Sequence, residues 1–572
     1  MVMRKSHESV FTIGIGGAAG DGIRESGTTL GAILSELGYE SYLSFTYPSL
    51  IRGGHNFARI TFSKEKVYSD HEALDVLIAL NEESVVLHHK ELAHNSIVFA
   101  NSFEPALTEI LKDNAVIIPM AARVKEINAS PITRNSMAIG ALCYLLDLDY
   151  NLMQTILTKV FENKQAEVNI KLADEGYNLL KDKNFRHSKK IEPNSNKKEL
   201  IDGNTAFARG LVAAGLDFYI AYPMTPATSI LHYLASRQKD TIIRVIQPES
   251  ELAVINMALG ISYAGKRVAI GSATGGFALM QEAFSFAGIA ELPLVIAVSQ
   301  RQGPATGLPT YSSQTDLRFV IHAGHGEFPR MVIAPGDSEE SFYLGALALN
   351  LAWKYQIPII VLLDKIISEH SVTSSLKADD IHIENGLTST NTGEKYGRYE
   401  ITESGISPLA FPGTPKTTVK VTSYEHDAFG ITVDETEPTA LMLNKRFTKG
   451  ETLLKEIDHN ETIKMYGDPS SKDVLVFWGS SKGPVLEALR YIKKPVKLVQ
   501  IVWIEPFDAK KVIKELKGAN KIIDIECNHD GQMAGLIRER TGIEITDKIL
   551  RYDARPFEPV TLAEEINKIL CP

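Results

Sequence analysis

Between residues 218 and 364 the chain alternates short apolar runs with longer helical patterns. The runs are FYIAYP, TIIRVIQ, RVAIGSA, PLVIAVSQ, MVIAP and PIIVLLD. A strand that is apolar on both sides must be covered on both faces, and helices between strands supply the cover. The pattern predicts a parallel, doubly wound sheet. In such a sheet ligands bind beyond the carboxyl ends of the strands. The loop after ELPLVIAVSQ fits that place. Residues 301–317, RQGPATGLPTYSSQTDL, carry a cation, glycines, prolines and a run of hydroxyls, with no helical or strand periodicity. An ordered loop of this kind presents polar groups to a ligand.

At 572 residues the chain is too long for one core. We expect an α/β protein of three units: residues 1–190, 201–385 and 466–572. A charge-dense linker at 191–200 and a polar connector with hairpins at 386–465 join them. The net charge of -10 excludes a surface that attracts nucleic acid. The 3 cysteines, Cys143, Cys527 and Cys571, are far apart, so this chain is not expected to hold an iron–sulfur cluster or a disulfide framework. The N-terminal residues lack an apolar signal core and no long apolar span occurs, so a soluble cytoplasmic protein is expected.

Residues 14–22, GIGGAAGDG, stand between a strand pattern and a helix pattern. Glycines let the backbone approach a phosphate, and the helix start offers N–H donors. Gly16, Gly17, Gly20 and Gly22 are candidates for a CoA-like or nucleotide phosphate, against a plain glycine-rich turn. Glu36 and Glu40 lie near the spacing for a nicotinamide ribose, so an NAD(P) oxidoreductase stays open. Gly20-Asp21-Gly22 could begin a thiamine diphosphate metal motif, but Asn56 stands too far on to complete it. In YPSLIRGGHN, Arg52 and His55 suit either an anion contact or a structural turn.

In AYPMTPATSIL, Pro223 and Pro226 hold Thr225 in a fixed frame, to orient a ligand or cap the next helix. In QPESELAVINMALG, Glu249 suits the helix dipole. Glu251 precedes Leu252, Ala253, Val254 and Ile255, so it faces a buried side. A buried carboxylate must be paired or protonated, and it can share a proton with a ring nitrogen. Arg301 and Thr310 can close on one carboxylate. His322, His325 and Glu327 look like metal ligands, but no further cluster stands nearby and no metal is expected on this chain.

These fragments together resemble the 2-oxoacid:ferredoxin oxidoreductases. The chain is similar to an α subunit of the 2-oxoglutarate synthase type with a γ domain fused at its N-terminus. The likeness rests on GIGGAAGDG and RGGHN, then on GNTAFARG, YPMTP, QPESELAVINMALGISYAG, QRQGPATGLPT, GHGEFPR and YQIPIIVLLD, and last on GISPLAFPG, YEHD and ECNHDGQ. It implies a γ-type domain, a thiamine diphosphate pyrimidine-binding domain and a transketolase C-terminal-like domain. It implies that Glu251 meets the aminopyrimidine, that Tyr222, Pro223 and Thr225 line the cofactor, and that Arg301, Thr310 and Thr225 bind substrate. The activity implied is oxidative decarboxylation of a 2-oxoacid, 2-oxoglutarate as first guess, to acyl-CoA and CO2 with reduction of ferredoxin. Mg2+, the diphosphate site and a [4Fe-4S] cluster would lie on a separate β subunit in an (αβ)2 assembly. A non-redox enzyme of transketolase type is the other thiamine alternative. Two departures stand near the expected pocket: residues 272–277 read SATGGF where the family often has TSGPGF, and residues 311–313 read YSS where it often has a lysine.

Overall fold

The computed structural model describes residues 8–49, 53–101, 111, 115–162, 166–194, 196–389 and 396–571. They form two compact units. The first comprises residues 1–201 together with 370–375, and the second comprises residues 202–369 with 376–572.

The first unit is built on an eight-stranded mixed sheet. Its central strand, Val10–Ala18, pairs parallel with Leu74–Ala79 and antiparallel with His55–Ser63. Glu40–Thr46 lies beyond His55–Ser63, so it does not neighbour the glycine-turn strand. That order is not a dinucleotide-binding βαβ unit, in which the first two strands are adjacent and parallel. The helices Arg134–Leu145 and Ala166–Asp182 cross at glycines: a Cβ on Gly140 would stand 1.8 Å from the Ala173 carbonyl, and one on Gly176 1.9 Å from that of Met137.

The segment expected to be a solvated linker is fastened to this unit instead. Asn194 N–H donates to the Gly38 carbonyl at 2.9 Å, the Tyr39 hydroxyl donates to the Ile191 carbonyl at 2.9 Å, and Glu199–Asp202 is an edge strand of the sheet. The chain also comes back. Ser371–Ser374 pairs antiparallel with Glu40–Thr46, so the stretch 201–385 is not all one unit.

The second unit holds two sheets. The seven-stranded one runs, edge to edge, Trp503–Glu505, Met331–Ile333, Pro358–Asp364, Leu294–Gln300, Val268–Ala273, Phe218–Ile220, Arg244–Ile246. All are parallel except Trp503–Glu505, which the C-terminal part of the chain adds antiparallel at the edge. Strand side chains alternate between two cores: Leu294, Ile296 and Val298 face one, Val295 and Ala297 the other. The five-stranded sheet, centred on Asp473–Trp478, shares the first core through Val474, Val476, Val499 and Ile501. Among the described residues, the 386–465 stretch carries isolated bridges in place of hairpins and a 19-residue helix, Thr436–Leu454.

Helix Thr228–Arg237, after strand Phe218–Ile220, packs into one core with Ile230, Leu231 and Leu234. Helix Glu251–Tyr263, after the neighbouring strand Arg244–Ile246, packs into the other with Val254, Ile255, Ala258 and Leu259. Adjacent strands whose connections leave to opposite faces open a crevice at their carboxyl ends.

Candidate active site

Glu251 stands at that crevice as the first residue of its helix. Ser250 caps the helix, its hydroxyl accepting the Ala253 N–H at 3.3 Å. Glu251 is 5% exposed, and its Oε1 is buried with no hydrogen-bond partner. Glu249, just before the cap, is exposed. A buried carboxylate oxygen left alone is costly, so this atom is arranged for a group that the chain itself does not supply. Gly276 makes room for it. A Cβ there would lie 2.8 Å from Glu251 Oε1 and 2.1 Å from Ser272 Oγ.

The facing wall is residues 222–226. Asn204 holds it, its Nδ2 donating at 2.8 Å to both the Pro226 carbonyl and Ser229 Oγ. The Ser272 hydroxyl donates to Met224 Sδ at 3.8 Å. Arg301 Nη1 donates to the Thr225 carbonyl at 2.8 Å. Close neighbours thus run from Glu251 through Gly276, Ser272 and Met224 to Thr225 and Arg301, along the carboxyl ends of the strands. Tyr222 is 38% exposed there, and Pro223 and Thr225 are half-buried.

The loop 301–316 is ordered by its own ladder and by the C-terminal domain. Leu308 N–H donates to the Gln302 carbonyl at 2.8 Å, and Gln302 N–H to the Tyr311 carbonyl at 3.3 Å. Gln314, fully buried, is the fastening: its Nε2 donates to the Trp478 carbonyl at 2.8 Å, and its Oε1 accepts the Cys527 N–H at 2.8 Å and the Ser481 hydroxyl at 2.9 Å. Asp316 ties the loop to the short helix Thr274–Ala278 beside Glu251, accepting the Thr274 hydroxyl at 2.7 Å, and burial pushes its carboxyl pKa up. Burial lowers the Arg301 pKa, though a guanidinium stays charged. Thr310 and Ser312, 6% and 5% exposed, each keep a buried hydroxyl without a partner.

Comparison with known proteins assigns two stretches of the chain to a family. A family profile described as pyruvate flavodoxin/ferredoxin oxidoreductase, thiamine diphosphate-binding, matches residues 209–443, and one described as pyruvate ferredoxin/flavodoxin oxidoreductase matches residues 12–179. The chain is 34% identical to the 2-oxoacid:ferredoxin oxidoreductase subunit alpha of Saccharolobus solfataricus, over 97% of both chains. This chain belongs to that family of α subunits. The Sulfolobus sp 2-oxoacid:ferredoxin oxidoreductase subunit alpha is 33% identical over 97% of this chain and 96% of its own. A solved 2-oxoglutarate:ferredoxin oxidoreductase from Magnetococcus marinus, with 2-oxoglutarate, coenzyme A and succinyl-CoA bound, superposes with a TM-score of 0.90 at 31% identity, covering 98% of this chain and 100% of that one.

As a 2-oxoacid:ferredoxin oxidoreductase subunit, the chain is not the nicotinamide enzyme left open by its glycine turn. Glu40, 3% exposed, is already taken: it accepts the Thr373 hydroxyl at 2.7 Å and pairs with Lys198. The turn itself is closed in part. Asp21 accepts the Ala18 N–H at 2.9 Å and pairs with Arg134 at 2.6 Å, while a Cβ on Gly16 would strike Ser84 Oγ at 2.6 Å and one on Gly17 Asp21 Oδ2 at 2.8 Å. No side chain would therefore fit at Gly16 or Gly17. Gly20 has open space around it, and Gly22, at φ 74°, starts helix Ile23–Glu36. Arg52 lies outside the described residues. His55 is drawn into a chain with His88 at 2.9 Å. His322, His325 and Glu327 form no metal-binding group among the described residues. Sequence reasoning missed Asn204, Gln314 and Asp316 as site-holding residues.

Proposed function

We propose that this chain is the α subunit of an enzyme that oxidatively decarboxylates a 2-oxoacid, 2-oxoglutarate first, to acyl-CoA and CO2 while reducing ferredoxin. The observation that carries this is Glu251: a buried carboxylate oxygen without a partner, at the crevice of a domain whose family binds thiamine diphosphate. The cradle fits a flat nitrogen heterocycle, because Gly276 leaves clear the space that a side chain would fill. Thiamine diphosphate supplies the carbon nucleophile and electron sink that decarboxylation of a 2-oxoacid needs.

This chain's own residues bind and orient. Glu251 Oε1 would hold a proton against a ring nitrogen of the aminopyrimidine, keeping it in the tautomer that can act as a base. Residues 222–226 form the opposite wall. Arg301 takes the substrate carboxylate, with the Thr310 hydroxyl donating beside it. The Thr225 carbonyl holds the guanidinium in place. In the first unit, Arg24, just after the glycine turn, lines a cavity of about 270 Å³ with Phe45, Tyr47 and Asn56, and would take a CoA phosphate.

The diphosphate grip, Mg2+ and the [4Fe-4S] cluster fall to a β subunit. Cys143 and Cys527 are buried and lie in different units, which supports that division. Helix Glu251–Tyr263 supports a partner as well, being apolar yet bare at Leu252 and Met257. The test is reconstitution. Chain and β subunit, with thiamine diphosphate and CoA, should reduce a viologen dye on adding a 2-oxoacid. Glu251→Gln should lower kcat by about 100-fold or more, and near-normal turnover would refute the role.

A further inference from the structure

Tyr311 follows Thr310 directly, and its ring carries an arginine from the far end of the chain. Arg555 Cζ stands 3.8 Å from the Tyr311 ring centroid. The contact holds the guanidinium over the ring while leaving donors in the open, which favours capture of an anion. Arg555 is exposed, and among the described residues its guanidinium donates to the Ala554 carbonyl at 3.3 Å and to no carboxylate. The nearby Asp553 is occupied: Arg551 grips both of its oxygens, at 2.9 and 3.0 Å, and Oδ1 also accepts the Arg555 N–H. Ser312, next to Tyr311 in the chain, holds its buried hydroxyl without a partner.

Arg301 can satisfy one carboxylate. A substrate with an acidic group at its other end needs a second cation, and the loop residue beside the first site presents one through Tyr311. We propose that Arg555, with the Ser312 hydroxyl, forms a subsite for the distal acidic group of the substrate, so that the enzyme selects a 2-oxo dicarboxylic acid over a 2-oxo monocarboxylic acid. This rests on the 2-oxoacid function above. A monocarboxylic acid leaves the cation and the hydroxyl unfilled, which is the asymmetry that gives polar sites their selectivity.

The experiment uses the assembled αβ enzyme with CoA and a viologen dye, comparing 2-oxoglutarate with 2-oxobutyrate. For each substrate kcat/KM is measured, and the selectivity is the 2-oxoglutarate value divided by the 2-oxobutyrate value. Arg555→Ala is expected to lower this selectivity by about tenfold or more, chiefly because the dicarboxylic acid binds with a higher KM. Arg555→Lys should restore part of it. Both substrates are read on one preparation, so partial misfolding scales both and leaves the selectivity alone. An unchanged selectivity in Arg555→Ala, whether both activities fall or neither does, overturns the subsite. A wild-type complex that turns over no 2-oxoacid overturns the function itself, a different result.

Discussion

Glu251 and Glu291 show two ways to keep a carboxylate inside a protein. Glu251 keeps an oxygen in reserve, and Gly276 gives it the space. Gly276→Ala should push the carboxylate aside and weaken thiamine diphosphate binding, read by titration, while circular dichroism stays native. Glu291, 1% exposed, is instead saturated: Lys445 donates to both its oxygens at 2.8 Å, Lys449 joins them, and Arg398 bonds its carbonyl at 2.7 Å. Burial alone would raise its pKa, but these cations outweigh that and hold it well below the usual range. Glu291→Gln would leave buried cations unbalanced and should cost about 3–5 kcal/mol in urea unfolding. Burial also pushes the Cys143 and Cys527 thiols up to about 12, whereas Cys571 is exposed. At pH 8 the folded chain should therefore take up iodoacetamide at Cys571 alone, and at all 3 cysteines once denatured.

Among the elements, helix Glu251–Tyr263 is apolar nearly all round, yet Leu252 is 56% and Met257 40% exposed. Such a helix belongs under cover. Met257→Asp should leave the isolated chain folded but abolish co-elution with the β subunit on size exclusion. Gly140→Val, by contrast, would drive a side chain into the Ala173 carbonyl and should destabilise the first unit by roughly 1–3 kcal/mol or more. Elements were legible in the sequence where burial is apolar. The runs such as PIIVLLD announce their strands, and the places of Glu251 and Arg301 beyond strand ends were legible because each follows such a run. Helix Thr436–Leu454 was not. Its buried face is Met442, Lys445, Arg446, Lys449 and Leu453, so its stripe is largely cationic and carries no hydrophobic period. Gln314 and Arg555 were hidden for another reason: their partners lie hundreds of residues away, beyond any local pattern.

At the scale of the molecule, the chain passes between its two units more than once: into the second after Ile201, back at His370, and out again after Ser375. The returning strand is short and polar, SVTS, with nothing in its composition to mark it. Yet Ser41 N–H donates to Thr373 Oγ1 at 3.1 Å, and the Tyr42 hydroxyl bonds His370 Nδ1 at 3.0 Å. A fragment ending near residue 200 would leave Glu40–Thr46 without that neighbour. It should be less soluble than the full chain, and adding a peptide of residues 368–376 should rescue it, measured by light scattering.

That return also dictates an order of events at the ribosome. The first sheet cannot be sealed until Ser374 has left the exit tunnel, although most of its strands emerge long before. With synthesis at about 5–20 residues per second, the nascent edge waits on the order of ten seconds, a window in which a chaperone or a neighbouring nascent chain can reach it first.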